Sequence, residues 1–339
     1  MSYELFVEVT RSGTVESRHF GAAVVCDAKG TVQESWGDID GLVFPRSAIK
    51  PMLAIHVVES GASDHYNLSD KELSLSCASH QGEPMHQEQV AIWLDRLGLT
   101  KEHLACGPEF PEDKETARKM LASGQNCCQI HHNCSGKHTG FLTTAQHLGL
   151  PLENYHQAEH PLQQMSLNIL SDLAEVDVRD YPMGIDGCGF PAPSLPLVRL
   201  GRAMARFANP VDLKKHRAMA ISRLKGAITR EPLFMAGHGT LVSELNDATN
   251  GAVLAKSGAE GVFVAALPER GLGIALKISD GNARARSVAL LAILDHLGAL
   301  SDTEKTRLQA HISPVLFNSR KEAVGQIRPA SSWLPGTHT

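Results

Sequence analysis

The sequence predicts a mixed α/β (α+β) fold: one antiparallel sheet formed from N- and C-terminal strands, covered by helices, with a helical middle region. Three observations predict it. Two strand patterns separated by turn chemistry open the chain, three short strands with glycine turns recur between residues 251 and 279, and helical periodicity fills most of the interval. This layout treats residues 1–339 as a single catalytic unit, with the sheet drawn from about 1–45 and 250–300 and a mainly helical insert over about 60–250.

Residues 3–10 alternate around Phe6, and residues 21–27 (GAAVVCD) form the next strand after the turn-rich stretch RSGTVES. A helix over 47–60 carries Ile49, Met52, Leu53, His56 and Val57 on one face and stops at Gly61. Ser69 with Glu72 makes a capping box that opens a helix running toward Ala78. Another helix starts after Pro84 and ends at Gly98; further helices fit 113–123, 136–148, 161–175 and 211–225. The late strands occupy 251–257, 261–268 and 271–279 as hairpins, and a helix from about Asn282 to His296 ends at Gly298. The tail from Ser313 onward is rich in Pro, Ser and Gly. There is no internal repeat, low-complexity segment or linker.

Apolar residues at 42% and charged residues at 20% place the chain among ordinary globular proteins of ample core. The net charge of −5, without a run of Lys and Arg, argues against nucleic acid or a membrane surface as partner and points to a small molecule. Glu4 and Glu8 interrupt the only apolar stretch near the start, so it does not read as a secretory signal, and no window approaches the ~18 apolar residues of a membrane span. Seven cysteines form no evident disulfide framework. The expectation is a cytoplasmic protein.

The segment Phe44-Pro45-Arg46-Ser47-Ala48-Ile49-Lys50 sets a serine three residues before a lysine. A serine hydroxyl is a poor nucleophile until a neighbour takes its proton. Positions i and i+3 are adjacent on a helix, and a lysine removed from water can serve as the base. Free N–H groups at the helix start would also favour an oxyanion. A plainer reading makes Ser47 an N-cap, with Pro51 in the first helical turn. Two later segments extend the pattern. Cys77-Ala78-Ser79-His80-Gln81-Gly82-Glu83 puts a second serine where a helix gives way to a turn, and Lys256-Ser257-Gly258 ends a predicted strand. A serine–lysine motif on a helix, a second serine, then Lys-Ser-Gly on a strand is the chain order of serine β-lactamases and penicillin-binding proteins. Gln81 stands where those enzymes carry asparagine, so the match is architectural.

The run His131-His132-Asn133-Cys134-Ser135-Gly136-Lys137-His138 is dense in ligand-type side chains, and Asp186-Gly187-Cys188-Gly189-Phe190-Pro191 presents a second cysteine in a glycine-bracketed loop. Two cysteines from separate segments plus one nitrogen would suit tetrahedral zinc. Residue chemistry alone favours His138 over Lys137 as that nitrogen, because lysine must first lose a proton. The plain alternatives are a small buried cysteine, helix caps at Asn133 and Ser135, and a turn at Asp186-Gly187.

Through these segments, together with His160-Pro161, the chain resembles the rhizobial-type, zinc-binding L-asparaginases, over most of its length to about residue 300. The resemblance implies a serine β-lactamase-like (glutaminase-like) fold, a homodimer, and hydrolysis of L-asparagine. It implies Ser47 with Lys50 and Ser79 with Lys256 as catalytic pairs, and Cys134, Lys137 and Cys188 as ligands of Zn2+. Arg46, His80, His138 and Asp186 become substrate-contacting candidates. A glutaminase or other amidase on the same scaffold is the nearest alternative. A non-catalytic zinc-binding protein, with Cys134 and Cys188 tying two loops together, would leave the serines and lysines without a role.

Overall fold

The structure is a computed structural model that describes residues 2–334. Two compact units emerge. One comprises the chain up to Ala48, Leu195–Asn209, and the chain from Leu245; the other comprises Ile49–Ser194 and Pro210–Glu244.

The first unit holds the sheet. Its strands are β1 (Glu4–Arg11), β2 (Thr14–Asp27), β3 (Val32–Trp36), β4 (Leu254–Ser257), β5 (Val262–Leu267), β6 (Leu272–Ile278), β7 (Val315–Phe317) and β8 (Ala323–Pro329). Their order is β7-β8-β1-β2-β6-β5-β4, with β3 also paired to β2. All of these pairings are antiparallel. The β1–β2 turn narrows to Ser12-Gly13, both at positive φ (47° and 82°), the two-residue geometry that matches the twist of a hairpin. β2 therefore starts at Thr14, well before the 21–27 read from sequence. The sheet also reaches beyond residue 300. The tail from Ser313 contributes β7 and β8, and β8 lies beside β1 with Val7 opposite Pro329.

Two helices of this unit pack on the sheet. Ala283–His296 begins at Asn282, whose side chain accepts from the Arg284 N–H, and the chain turns away at Gly298. Leu197–Ala208, absent from the sequence-based layout, lies at backbone distance from β6. A Cβ on Gly273 would sit 2.1 Å from Ala205 N and 2.5 Å from Gly201 O, and one on Gly201 would sit 2.7 Å from Val24 Cγ1.

The second unit is mainly helical. The helix Ser135–His147 is its hub, buried from Ser135 to Ala145 among Asp70–Ser76, Pro84–Arg96 and Ile55–Glu59. The single helix expected over 47–60 is instead a 3-10 turn, Arg46–Ile49, followed by the short helices Lys50–Leu53 and Ile55–Glu59. Pro51 has no N–H to give the carbonyl four residues back, and the tighter bond Ala48 N to Pro45 O (3.0 Å) closes the turn before it. The helix expected from 211 begins at Lys215, because the Asn209-Pro210 corner spends the next residues on a turn closed by Leu213 N to Pro210 O. Among the described residues no helix is long and apolar enough to cross a membrane.

Candidate active site

In the second unit, sequence-local chemistry places a serine turn beside a cysteine–lysine cluster. The box read from Ser69 and Glu72 is present, with Ser69 N donating to Glu72 Oε2 at 2.7 Å, and it starts the helix Asp70–Ser76. Ser79 follows that helix within three residues. Gly136 and Gly140 then let the hub helix lie directly on it: a Cβ on Gly136 would be 2.6 Å from Leu75 O, and one on Gly140 would be 3.0 Å from Ser76 Cβ. The N-terminal end of the hub, with Cys134 and Lys137, is thereby drawn to the serine turn. Backbone bonds hold that turn on two sides: Ser79 N to Met235 O (3.1 Å), His80 N to Asn133 O (3.2 Å) and Gln81 N to Ala236 O (2.8 Å).

Lys50, 1% exposed, reaches into this arrangement. Its Nζ donates to Ser79 Oγ at 2.8 Å, to Ala78 O at 2.7 Å and to Cys134 Sγ at 3.0 Å. A buried amine whose three donor directions are all filled is rigidly placed, and one of its partners is a half-buried serine hydroxyl. Thus the lysine read as the partner of Ser47 is seen bonded to the second serine.

Cys188 arrives from a hairpin, Met183–Ile185 with Pro191–Pro193. Its turn is closed by Gly189 N to Asp186 O (2.9 Å) and Asp186 N to Phe190 O (2.8 Å), with Gly189 at φ +86°, a conformation that favours glycine. Lys137 Nζ donates to Cys188 Sγ at 2.9 Å and stands 3.7 Å from the Phe190 ring centroid. A hydrogen bond from Cys188, opposed by burial and aided by Lys50 and Lys137, holds the Cys134 thiol well below its ordinary pKa. Burial alone would depress Lys137, but the Cys188 and Cys134 sulfurs and the nearby Asp186 carboxylate keep it above the usual lysine value.

The donor set fits zinc. Two buried sulfurs and one nitrogen converge from separate segments, the donor types that tetrahedral zinc takes, with Lys137 Nζ having to give up the proton it donates to Cys188 Sγ. No group of three or more His, Cys, Asp or Glu side chains suited to a metal occurs among the described residues. A metal held here would therefore need Lys137, in place of the histidine that residue chemistry alone favoured.

His138 is fully buried, with Nδ1 2.6 Å from Tyr155 Oη. Tyr155 Oη also accepts from Ala105 N at 3.0 Å. His138 Nε2 makes no hydrogen bond of ordinary geometry, although Cys188 is close enough to bear on the ring. Burial pushes His138 down to about 3, outweighing Cys188. Tyr155 carries no motif in the sequence; only the fold reveals it. His80 is also fully buried and has both ring nitrogens engaged, with Ser135 Oγ (2.9 Å) and Gly82 N (3.1 Å). Asp186 Oδ1 accepts from Gly187 N, and the side chain is half-buried. A cavity of about 590 Å³, lined in part by Glu59, Pro161, Met165 and Arg217, holds none of the candidate residues.

In the first unit, Ser47 lies in the turn Arg46–Ile49 and is half-buried. Arg46 has φ +51°, a left-handed conformation that costs a non-glycine residue about 1 kcal/mol or more and often marks functional turns. The end of β4 packs on this turn: a Cβ on Gly258 would be 2.4 Å from Pro45 O and 3.3 Å from Ala48 Cβ. Gly258 O accepts from Arg286 Nη1, and its N–H donates to Val262 O at 2.9 Å. Lys256 is buried, and its Nζ donates to Ser257 O at 2.8 Å.

The family profile described as L-asparaginase II matches residues 7–329. The chain belongs to the L-asparaginase II family. No curated protein matches this L-asparaginase II family member. Among solved structures, Mglu in its native form is similar at 13% identity and a TM-score of 0.47, over 83% of this chain and 61% of Mglu. The chain thus spans about three-fifths of Mglu's length. A β-lactamase from Mycobacterium bovis is similar at 12% identity and a TM-score of 0.41, over 81% of this chain and 94% of that one.

Proposed function

We propose that this L-asparaginase II family member is a zinc-binding amidohydrolase of the rhizobial type that converts L-asparagine to L-aspartate and ammonia. The observation that carries the reading is the bond from buried Lys50 Nζ to Ser79 Oγ, a serine–lysine pair made in a chain of this family. Ser47, three residues before Lys50 in sequence, attacks the side-chain carboxamide carbon and passes its proton to the neutral form of Lys50, which then donates as the ammonium to Ala78 O, Ser79 Oγ and Cys134 Sγ. The Lys50–Ser79 bond gives that proton a route onward to the departing ammonia, and the family resemblance pairs Lys256 with Ser79 for that delivery. Backbone N–H groups around Ser47 and Ser257 hold the oxyanion, a contribution of about 3–4 kcal/mol in such sites. Water then cleaves the aspartyl ester. Arg46 and Asp186 are the charged groups offered to the substrate's α-carboxylate and α-ammonium, while His80 and His138 support the serine turn and Cys188.

Cys134, Lys137 and Cys188 would hold the zinc. Bound between thiolates, it would be a weak Lewis acid whose contribution is to position the substrate. Seven free cysteines support a reducing cytoplasm. The family resemblance supports a homodimer, which light scattering would read as twice the 36.6 kDa chain mass.

The deciding experiment is ammonia release by the purified protein from L-asparagine, with L-glutamine in parallel. Release from asparagine at least tenfold faster is the expected result. Equal or faster release from glutamine would make the protein a glutaminase, and release from neither would overturn the amidohydrolase reading. Elemental analysis of the same sample should give one zinc per chain, lost in Cys188→Ser. A variant that kept its full zinc would remove Cys188 from the ligand set.

A further inference from the structure

The turn that carries Ser79 is short, contains Gly82 at φ +72°, and has to hold a hydroxyl within 2.8 Å of Lys50 Nζ. Its backbone bonds run to Asn133 on one side and to Met235 and Ala236 on the other. One side chain of the turn crosses to the hub helix. Gly82 N–H donates to His80 Nδ1, so that nitrogen is the acceptor and Nε2 carries the proton, which it donates to Ser135 Oγ at 2.9 Å. The ring stacks on His86 at 4.8 Å and 11°. His86 is fixed in the same sense, accepting from Glu83 N at Nδ1 and donating to Leu233 O at Nε2. Ser135 adjoins Cys134, and the hub helix carries Lys137 one turn farther on.

We infer that His80 is a positioning residue: its Nε2–H bond to Ser135 ties the Ser79 turn to the start of the hub helix and fixes Ser79 Oγ for Lys50. The inference rests on the amidohydrolase reading and adds to it a residue whose ring is shut away from any substrate. Without the imidazole, Gly82 N–H and Ser135 Oγ both lose a buried partner. The turn keeps its backbone bonds but gains freedom at Ser79. The chemical step slows while substrate binding is unaffected.

The test uses the full chain and three variants. His80→Ala should lower kcat for L-asparagine about 30-fold or more with KM within threefold, the pattern of an interaction needed for the reaction step. Glutamine can set its amide N–H near the position of Nε2, so His80→Gln should recover about tenfold of that loss. Ser135→Ala, which leaves the imidazole in place, should lower kcat by a similar factor to His80→Ala. A raised KM with unchanged kcat, or Gln no better than Ala, would overturn the assignment. A separate readout keeps this apart from the functional reading. Amide hydrogen exchange at Ser79 and Gln81 should speed by tenfold or more in both His80→Ala and Ser135→Ala. If the unaltered protein releases no ammonia from any amide, the functional reading falls, and unchanged exchange would remove the positioning role independently.

Discussion

Ser47→Ala should lower L-asparagine turnover by ~10³-fold or more, a loss of about 4 kcal/mol of transition-state stabilisation. The argument begins in the chain, where Ser47 precedes Lys50 by three residues. The structure adds a turn built at a cost, with Arg46 at φ +51° immediately before the serine and the end of β4 pressed against Pro45 and Ala48. A hydroxyl removed from such a turn leaves no cavity in the core, so the thermal midpoint and zinc content should match those of the unaltered protein. The measurement is steady-state ammonia release alongside both controls. Activity within tenfold of normal would exclude Ser47 as nucleophile and transfer that role to Ser79, whose hydroxyl already meets Lys50.

Gly273→Ala should damage the fold severely. The added methyl would lie 2.1 Å from Ala205 N, 2.5 Å from Gly201 O and 2.6 Å from Met204 C, all of them backbone atoms that no side-chain rotation can move. The helix Leu197–Ala208 must lift from β6 or the strand must buckle, and either opens packing along the sheet. Overpacking of this severity costs about 3 kcal/mol, which lowers the thermal midpoint of a 339-residue chain by about 4 °C. Calorimetry or circular dichroism on heating would read it. A midpoint unchanged within 2 °C would mean that the helix rests farther from the sheet than described.

What could be read from the sequence follows the range of the interactions involved. The helix opened by Ser69 and Glu72, the strands 262–267 and 272–278, and the helix from Asn282 are specified by residues within a few positions of one another, and they stand where the pattern put them. The helix Leu197–Ala208 carries a good apolar stripe in Leu197, Leu200, Met204 and Phe207, but the prolines at 191, 193 and 196 and the glycine at 201 disguised it. β7 and β8 were illegible for another reason. Nothing local marks them as strands until β1 supplies a partner.

The candidate site divides in the same way. Cys134, Lys137 and Cys188 stood out by type, and the family resemblance grouped them. Their convergence depends on two glycines, Gly136 and Gly140, that admit the hub helix against Asp70–Ser76. The preference for His138 over Lys137 weighed intrinsic acidity alone, whereas among the described residues no three His, Cys, Asp or Glu side chains form a group suited to a metal. That Lys50 would bond Ser79 is a property of tertiary structure, and spacing along the chain could not reveal it.

The β1–β8 pairing bears on how the protein is made. Glu8 and Arg328 meet at 3.3 Å although 320 residues separate them along the chain. A ribosome adding roughly 5–20 residues per second needs about 16–64 s to cover that interval. For most of it β1, β2 and β3 have emerged without β6, and for all of it without β8, so β1 lacks a neighbour while it waits. The helical unit, complete once Glu244 has emerged, can condense first. The sheet closes only once β8 has emerged, so its open edges stay available to wrong partners until that strand is delivered. Slower synthesis at low temperature lengthens that exposure, whereas a chaperone that covers the first hairpin shortens it.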